Sequence, residues 1–269
     1  MKVTGVGVWV IASLALAVAG PNLAWLSLHG RMVGPRWRDR LQGWMPASSP
    51  LVWLASSLFL LLPPYLAWRL GTLSLYYLGL TEIDWLALAG AAGMWATSIV
   101  ALALFGWLVY RRSLRMELWE TGGVKEGASA AVGTRAWLAP LDASLWQWHW
   151  AFYRAAAIGW LAAASPLPGV LLHGAWAARL AALYGAGGAQ PVYWGSWLGL
   201  CLAGIEWGLN PFARAGLKVA GRQEATLRAV GLAIATTALF SFTRNFWLCL
   251  FCSVTVETLV AGWLPLLSE

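Results

Sequence analysis

Charged residues are scarce in this 269-residue chain: they make up 11% of it, whereas hydrophobic residues make up 60%. A soluble domain carries about 25% charged residues, so the composition excludes a soluble enzyme and a disordered protein. The basic residues are 15 Arg and 3 Lys, and they lie in short loops beside apolar runs. Such loops are typical of the cytoplasmic side of membrane proteins, so we exclude nucleic acid as a partner.

Cysteines are also few, and all three lie inside apolar runs. This placement excludes a disulfide framework. Cys249 and Cys252 are one helical turn apart, but a metal site would need further ligands, so we predict apolar packing and no metal. The sequence lacks a glycine-rich phosphate loop, and its three histidines give no specific indication of haem or chlorin. We therefore predict no cofactor.

Long apolar runs dominate the sequence, whose mean hydropathy is +0.65. Several are close to the ~20 residues that an α-helix needs to cross a bilayer. The sequence predicts an all-α fold: a polytopic transmembrane helical bundle of about seven spans plus one interfacial or re-entrant helix. The predicted spans cover residues 3–28, 50–68, 83–110, 144–165, 192–209, 226–243 and 246–266. We expect Pro63 and Pro64 to break the last turn of the second span.

Clusters of arginine orient the predicted bundle. They lie at residues 31–40, 111–115 and 214–228, and the positive-inside rule places all three on the cytoplasmic side. The N-terminus is then outside and the C-terminus inside, as in a bacterial cytoplasmic-membrane protein. If the apolar segment 167–184 crossed the membrane, the third cluster would lie outside. We therefore expect this segment to be interfacial or re-entrant.

The order of polar and apolar stretches divides the chain into three segments. Residues 1–115 are predicted to form N-terminal transmembrane helices, 116–143 a cytoplasmic loop, and 144–269 a transmembrane core. Residues 17–20 imitate the end of a signal peptide, but the apolar run resumes through Leu28, so we expect a retained first helix. The 21 tryptophans are predicted to anchor and pack the helices.

Ionisable side chains inside predicted spans are the candidates for chemistry, because each costs roughly 2.5–3.5 kcal/mol at mid-helix. They are His149, Arg154, Glu206, Arg244 and Glu257. Arg244 lies near a span end, where a long side chain can reach the interface. The other four lie on three spans, and we expect them to converge in one polar cavity. Either a register-fixing network or a chemical site is compatible with this set.

The run from residue 149 to 154, His-Trp-Ala-Phe-Tyr-Arg, resembles the Glu-Glu-x-x-Tyr/Phe-Arg motif of the CPBP family. This family comprises CAAX proteases and bacteriocin-processing enzymes, which are intramembrane glutamic proteases. Tyr153 and Arg154 match the motif, whereas His149 and Trp150 stand in place of the two glutamates. In the second motif, Phe-x-x-x-His, Glu206 stands in place of the histidine.

The third motif of the family, His-x-x-x-Asn, corresponds to residues 253–257. Ser253 stands in place of its histidine and Glu257 in place of its asparagine. The preceding residues 243–248 are similar to the turn that leads into this motif in the family. The resemblance covers residues 144–266, and it implies a CPBP-like helical core.

The resemblance implies that glutamates and histidines activate a water for attack on a peptide carbonyl. Such chemistry needs a positioned base and a group that stabilises the oxyanion. Trp150 accepts no proton and Ser253 is no base, so the machinery of the family is expected to fail here. His149 and Glu206 look like an exchanged Glu/His pair, which together with Arg154 or Glu257 leaves one route to acid–base chemistry.

Two functions of different classes follow. The first is a catalytically altered membrane protein that acts as a scaffold, assembly factor or accessory subunit of a membrane complex. Its partners are the lipid bilayer and other membrane proteins. The alternative is a divergent, metal-independent intramembrane peptidase that uses His149 and Glu206 on a lipidated or membrane peptide. A solute transporter is less favoured, because the sequence has no inverted repeat.

Overall fold

A computed structural model describes residues 3–29, 50–81, 83, 85–120, 138–163, 190–218 and 220–263. Every regular element in these residues is a helix, which confirms the all-α prediction. Seven of the described helices are long: α1 (Val3–His29), α2 (Pro50–Arg69), α4 (Trp85–Glu120), α5 (Ala139–Ala163), α6 (Gln190–Leu209), α8 (Ala220–Thr243) and α9 (Phe246–Trp263). The two short helices in this part of the chain are α3 (Leu75–Leu78) and α7 (Pro211–Gly216).

Three of the described helices are long and apolar enough to cross a membrane, judged by length and composition. The segments are Gly5–Ser27 in α1, Ala92–Ser113 in α4 and Gln223–Thr243 in α8. A shorter apolar segment, Phe246–Gly262, lies in α9. The membrane character predicted from composition is confirmed at this level. Each of the seven predicted spans overlaps one long helix, but a total of seven spans stays a prediction.

The prediction that Pro63 and Pro64 break α2 is wrong, because the helix continues through both to Arg69. A proline removes one backbone donor and crowds the preceding turn, but neighbouring helices and side chains commonly compensate within a bundle. The helix ends instead at a turn in which the amides of Thr72 and Leu73 both donate to a single carbonyl of its last turn.

Helices α4 and α5 reach into the segment predicted as a cytoplasmic loop, 116–143. Helix α4 continues to Glu120 and α5 begins at Ala139. With 36 residues, α4 is about 54 Å long, which exceeds the ~30 Å hydrocarbon core of a bilayer. The helix is therefore longer than one crossing of the hydrocarbon core requires. The rest of that predicted loop, like the predicted re-entrant segment 167–184, lies outside the described residues.

Helix α5 is the central helix of the bundle and contacts α1, α2, α3, α6 and α9. All its residues from 149 to 159 are buried. Small side chains, Ala155, Ala156 and Ala157, allow its neighbours to approach closely. A helix that is enclosed on all sides buries every polar side chain it carries, so each of these needs an internal partner.

Helices α5 and α6 run antiparallel and pack more closely than side chains would normally allow. Gly195 and Gly199 of α6 face the backbone of α5 at Ile158 and Arg154, and a Cβ on either glycine would lie 2.6 Å from backbone atoms there. Real Cβ atoms do not approach so closely, so only glycine permits this contact. The close packing fixes the register between the two helices.

Contacts between loops and helix ends hold the two ends of the bundle. At one end, the Phe246 amide at the start of α9 donates to the Gly79 carbonyl after α3 at 3.1 Å. At the other end, Trp53 Nε1 near the start of α2 donates to Asp142 Oδ1 near the start of α5 at 2.7 Å. The described helices therefore form one bundle in which sequence-distant ends meet.

Candidate functional site

A buried hydrogen-bonded group links α1, α5 and α6. His149 Nε2 and Glu206 Oε2 lie 2.9 Å apart, and Tyr153 OH donates to the same carboxylate oxygen at 2.6 Å. Tyr153 OH also lies 3.2 Å from Ser13 Oγ of α1. His149 is 0% exposed and Glu206 is 4% exposed. We call these four residues the polar chain; it satisfies a carboxylate that would otherwise be costly to bury.

The helical spacing explains why the members of the polar chain meet. His149 and Tyr153 are four residues apart on α5 and share one face. Helix α6 lies against α5 because Gly199 packs directly on the backbone at Arg154. Glu206 follows Gly199 by about two turns, and the antiparallel direction brings its carboxylate to His149. Glycine on α6 thus positions the acid opposite the imidazole.

Aromatic rings enclose the polar chain. The Phe59 ring of α2 lies 5.3 Å from the His149 ring, measured between centroids. Trp150 packs edge-to-face on Trp207 of α6 at 5.7 Å, and Trp146 contacts the same two rings. Trp150 therefore places a buried indole where the CPBP resemblance implies a glutamate. A low-dielectric surround strengthens the hydrogen bonds of the carboxylate.

Arg154 is buried on a different face of α5, because five residues rotate a helix by about 140° beyond one full turn. Its Nη1 donates to the Thr236 carbonyl of α8 at 3.3 Å, and its guanidinium lies 4.5 Å from the centre of the Phe240 ring. Its Nε and Nη2 have no hydrogen-bond partner among the described residues. The structure thus separates Arg154 from His149 and Glu206.

Glu257 of α9 belongs to a second polar group, which it forms with the first turns of α8 and the C-terminal half of α4. Arg228 donates to both Glu257 oxygens, through Nε and Nη2, at 3.0 Å each. Glu224 accepts from Trp107 Nε1 at 2.7 Å and from Arg111 Nε at 3.1 Å. We call these five residues the charged cluster. Both carboxylate oxygens of Glu257 thus bind Arg228, and Glu257 belongs to the charged cluster rather than to the polar chain.

The described residues of the third arginine cluster, 214–228, are mostly helical. Arg214 lies in α7, and Arg228, which is within the predicted span 226–243, lies in the first turns of α8. Arg228 Nη1 is 3.5 Å from Glu224 Oε1, four residues earlier. The i,i+4 spacing of opposite charges is a signal for a helix. Because the predicted span begins at residue 226, hydropathy missed only the first turns of α8, which begins at Ala220.

Ser253, in place of the histidine of the third motif, donates to Gln147 Oε1 of α5 at 3.2 Å. Cys249 and Cys252 point to different helices: their sulfurs lie 3.3 Å from a carbonyl of α8 and 3.6 Å from a carbonyl of α4. Both are free thiols. Within the described part of the chain, no group of three or more His, Cys, Asp or Glu side chains is arranged to hold a metal ion.

Arg244 lies in the turn between α8 and α9, at a helix end as expected. Its backbone has a positive φ of 52°, and its Nη1 donates to Tyr76 OH of α3 at 2.7 Å. Asn245 Oδ1 accepts from the Leu248 amide at 3.2 Å and caps α9. This turn is the one that resembles the lead into the third family motif.

Two members of the polar chain were not among the predicted site residues. Tyr153 carried a usable signal, since it lies one helical turn after His149 on the same face. Ser13 carried almost none, because a serine inside an apolar run commonly bonds only its own helix. Its contact with Tyr153 depends on how α1 packs against α5, which spacing along the chain does not encode.

Comparisons with protein families, curated proteins and solved structures found no match. The polar chain and the charged cluster are therefore interpreted from their own geometry, and the resemblance to the CPBP family rests on the three motifs quoted above.

Proposed function

We propose that the chain is a catalytically altered, CPBP-like integral membrane protein that acts as a scaffold, assembly factor or accessory subunit of a membrane complex. One observation carries this proposal: Glu206 is bonded inside the protein by both His149 and Tyr153. A general base must lie within about 2.6–3.2 Å of the proton that it takes from a substrate or water. His149 and Tyr153 both lie within that distance of Oε2, so internal partners already engage this oxygen of the carboxylate.

The distribution of the four candidate groups supports the same proposal. His149 and Glu206 form one pair, Arg154 bonds a backbone carbonyl of α8, and Glu257 is bound by Arg228. A catalytic site needs its groups within about 0.5 Å of one productive geometry. Groups that lie on separate faces of the bundle hold helices together instead, because each links a different pair of helices.

A seven-span topology, with the N-terminus outside and the C-terminus inside, belongs to this proposal. The antiparallel packing of α5 and α6 supports it, since the connection between them then starts and ends on one side of the membrane. The contact between Trp53 and Asp142 also supports it, because it joins two helix starts that both follow predicted cytoplasmic segments. We place the protein in a bacterial-type cytoplasmic membrane.

Exposed apolar side chains on α4 and α9 support membrane partners. Leu102 and Phe105 of α4 and Phe251 of α9 are all exposed. Lipid accepts such side chains on every outer face, and so does another transmembrane helix. The surface is therefore compatible with a subunit embedded among lipids and other membrane proteins.

Isolation in a mild detergent tests the scaffold proposal. We expect the protein to elute as a complex of fixed stoichiometry with another membrane protein, identified by mass spectrometry and light scattering. The Glu206→Gln variant, which keeps an acceptor for Tyr153, should form the same complex because no chemistry is involved. Recovery of the chain alone in every detergent and from every growth phase would contradict a subunit role.

A divergent, metal-independent intramembrane peptidase is the second candidate. The 2.9 Å contact between His149 and Glu206 favours it, because an imidazole and a carboxylate at this distance can exchange a proton. A lipidated or membrane peptide would reach the pair only if α1 or α2, which contribute Ser13 and Phe59 to its enclosure, moved aside. Peptide turnover by the purified protein separates the two candidates.

A further inference from the structure

A row of polar side chains follows α9 at every fourth residue of an otherwise apolar helix. It begins at Asn245, which caps the helix, and continues through Cys249 and Ser253 to Glu257. Residues four apart are neighbours on a helix surface, so these side chains form one line. The first three are almost completely buried. The line rises by about 18 Å, which is more than half of the ~30 Å hydrocarbon core of a bilayer.

Helices α5 and α8 face this row. Ser253 donates to Gln147 Oε1 of α5 at 3.2 Å. One turn away, Cys249 Sγ and Arg154 Nη1 of α5 both lie 3.3 Å from the same carbonyl, that of Thr236 on α8. We call the row, together with Gln147 and Arg154, the polar seam. It lies on another face of α5 than His149, so it is separate from the polar chain.

The polar seam contains hydrogen-bond donors that the described residues do not satisfy. They are Nε2 of Gln147, Nε and Nη2 of Arg154, and Nδ2 of Asn245. These three side chains are at most 1% exposed, and a buried donor without an acceptor is costly. Buried water typically makes about three hydrogen bonds to such groups. The facing side chains of Cys249 and Ser253 are short, as a row that shares its space with water requires.

The two ends of the polar seam differ in access. Glu257 belongs to the charged cluster, and the side chains of Glu257 and Arg228 are 20% and 16% exposed. At the other end Asn245 is 0% exposed, and the amide of the next residue, Phe246, is bonded to the Gly79 carbonyl after α3. Water can therefore enter from the charged cluster, and the path ends at Asn245.

We propose that the polar seam is an internal path for water, which leads from the charged cluster to Asn245. Gln147 and Arg154 are seven residues apart, or about 10 Å along α5, so water rather than a direct hydrogen bond connects their donors. Water fits better than an anion because the seam also offers acceptors: Gln147 Oε1 and Ser253 Oγ each have a further lone pair. The path admits small polar molecules to the middle of the bundle, whether the protein is a scaffold or a peptidase.

Two native cysteines provide matched probes of this path. Cys249 and Cys252 are both 0% exposed, but Cys249 lies in the polar seam, whereas Cys252 lies against the Ala96 carbonyl of α4 at 3.6 Å. The full chain is purified with Cys201→Ser and either Cys252→Ser or Cys249→Ser, and is treated with a small, water-soluble methanethiosulfonate. The reagent reacts with the thiolate, which forms only where water reaches the thiol, so we expect Cys249 to react at least about tenfold faster than Cys252.

Ser253→Leu should block the path between Glu257 and Cys249 and slow the labelling of Cys249 to the rate of Cys252. Thr258→Leu is its control, because this exposed side chain adds the same leucine on the outer face of α9; it should leave the rate unchanged. The melting temperature verifies that both variants are folded. Equal labelling rates of Cys249 and Cys252 in the proteins without a leucine substitution would overturn the path. Protection of Cys249 by chloride but not by gluconate would overturn water as the occupant and indicate an anion.

Discussion

At the residue scale, His149 and Glu206 depend on each other because both are almost completely buried. Removing Glu206 leaves the buried His149 without a hydrogen-bond partner among the described residues, and removing His149 leaves Glu206 bonded to Tyr153 alone. Removing one partner of a buried pair is usually more costly than replacing both by apolar residues. The same reasoning separates this pair from Arg154, whose polar contact is with a backbone carbonyl. The two sets of side chains therefore predict opposite responses to apolar substitution.

For the pair, we predict that Glu206→Leu lowers the free energy of unfolding by about 3–5 kcal/mol. The substitution removes the carboxylate to which both His149 and Tyr153 are hydrogen-bonded. His149→Leu should also be destabilising. The double variant His149→Leu/Glu206→Leu should recover most of the loss, since it leaves no buried charge unpaired. Unfolding in mixed micelles, followed by tryptophan fluorescence, measures all three. Additive losses in the double variant would show that the two residues are not coupled.

For Arg154, we predict that Arg154→Met is neutral or raises the free energy of unfolding by about 1–4 kcal/mol. The substitution removes a buried cation whose Nε and Nη2 lack partners in the described chain, and it keeps an unbranched side chain of similar length. Arg154→Ala, which also opens a cavity, should be less stable than Arg154→Met. A large loss in both variants would indicate that a counter-ion stabilises this arginine.

At the element scale, the contact between α5 and α6 positions the polar chain. Gly199 packs on the backbone at Arg154, and Glu206 then lies opposite His149. Any side chain at position 199 must push the two helices apart. Because the polar chain depends on distances near 3 Å, a small separation breaks it.

We therefore predict that Gly199→Ala lowers the free energy of unfolding by about 1–3 kcal/mol, the usual cost of overpacking. Gly204→Ala is the control on the same helix, because its Cβ would meet nothing within 4 Å. This variant should keep or raise stability, since alanine favours a helix by about 1 kcal/mol over glycine. The comparison uses the same unfolding assay. Equal stabilities for the two variants would contradict the close contact.

The positions of the elements could largely be predicted from hydropathy, whereas their ends and partners could not. Each of the seven apolar runs predicted as spans overlaps a long helix, because an enclosed or lipid-facing helix needs only an apolar sequence of sufficient length. The prediction failed at Pro63 and Pro64, where the bundle compensates for lost backbone bonds. It also did not include the pairing of Glu257 with Arg228, which lies on another helix. These outcomes depend on neighbours that are distant in sequence.

The candidate site was predicted only in part, for a related reason. Burial cost alone singles out His149, Arg154, Glu206 and Glu257. Which of them meet depends on the rotation of each helix, and a helical position that is five residues away faces another neighbour. Motif order suggested the pair of His149 and Glu206, but it carried no information about Ser13 on the first helix.

At the scale of the whole molecule, the orientation of the bundle is testable by chemical labelling. Lys218 is exposed after α7, on the side that we predict to be cytoplasmic, and Thr81 is exposed after α3 on the opposite side. In a background with Cys201→Ser, which removes the exposed native thiol, a membrane-impermeant maleimide should label Thr81→Cys in intact cells. It should label Lys218→Cys only after the membrane is opened. Labelling of Lys218→Cys in intact cells would refute the seven-span topology.

The central claim is that the pair of His149 and Glu206 holds the bundle together and does not cleave peptides. The most direct measurement is turnover of prenylated CAAX-type and membrane peptides by the purified protein, beside its Glu206→Gln and His149→Ala variants. We predict no turnover by any of the three, since losing a positioned acid–base pair forfeits about 10²–10⁴-fold in rate and Trp150 and Ser253 supply no replacement. Turnover by the unmodified protein that both substitutions abolish, while both variants remain folded, would contradict the account and establish a peptidase.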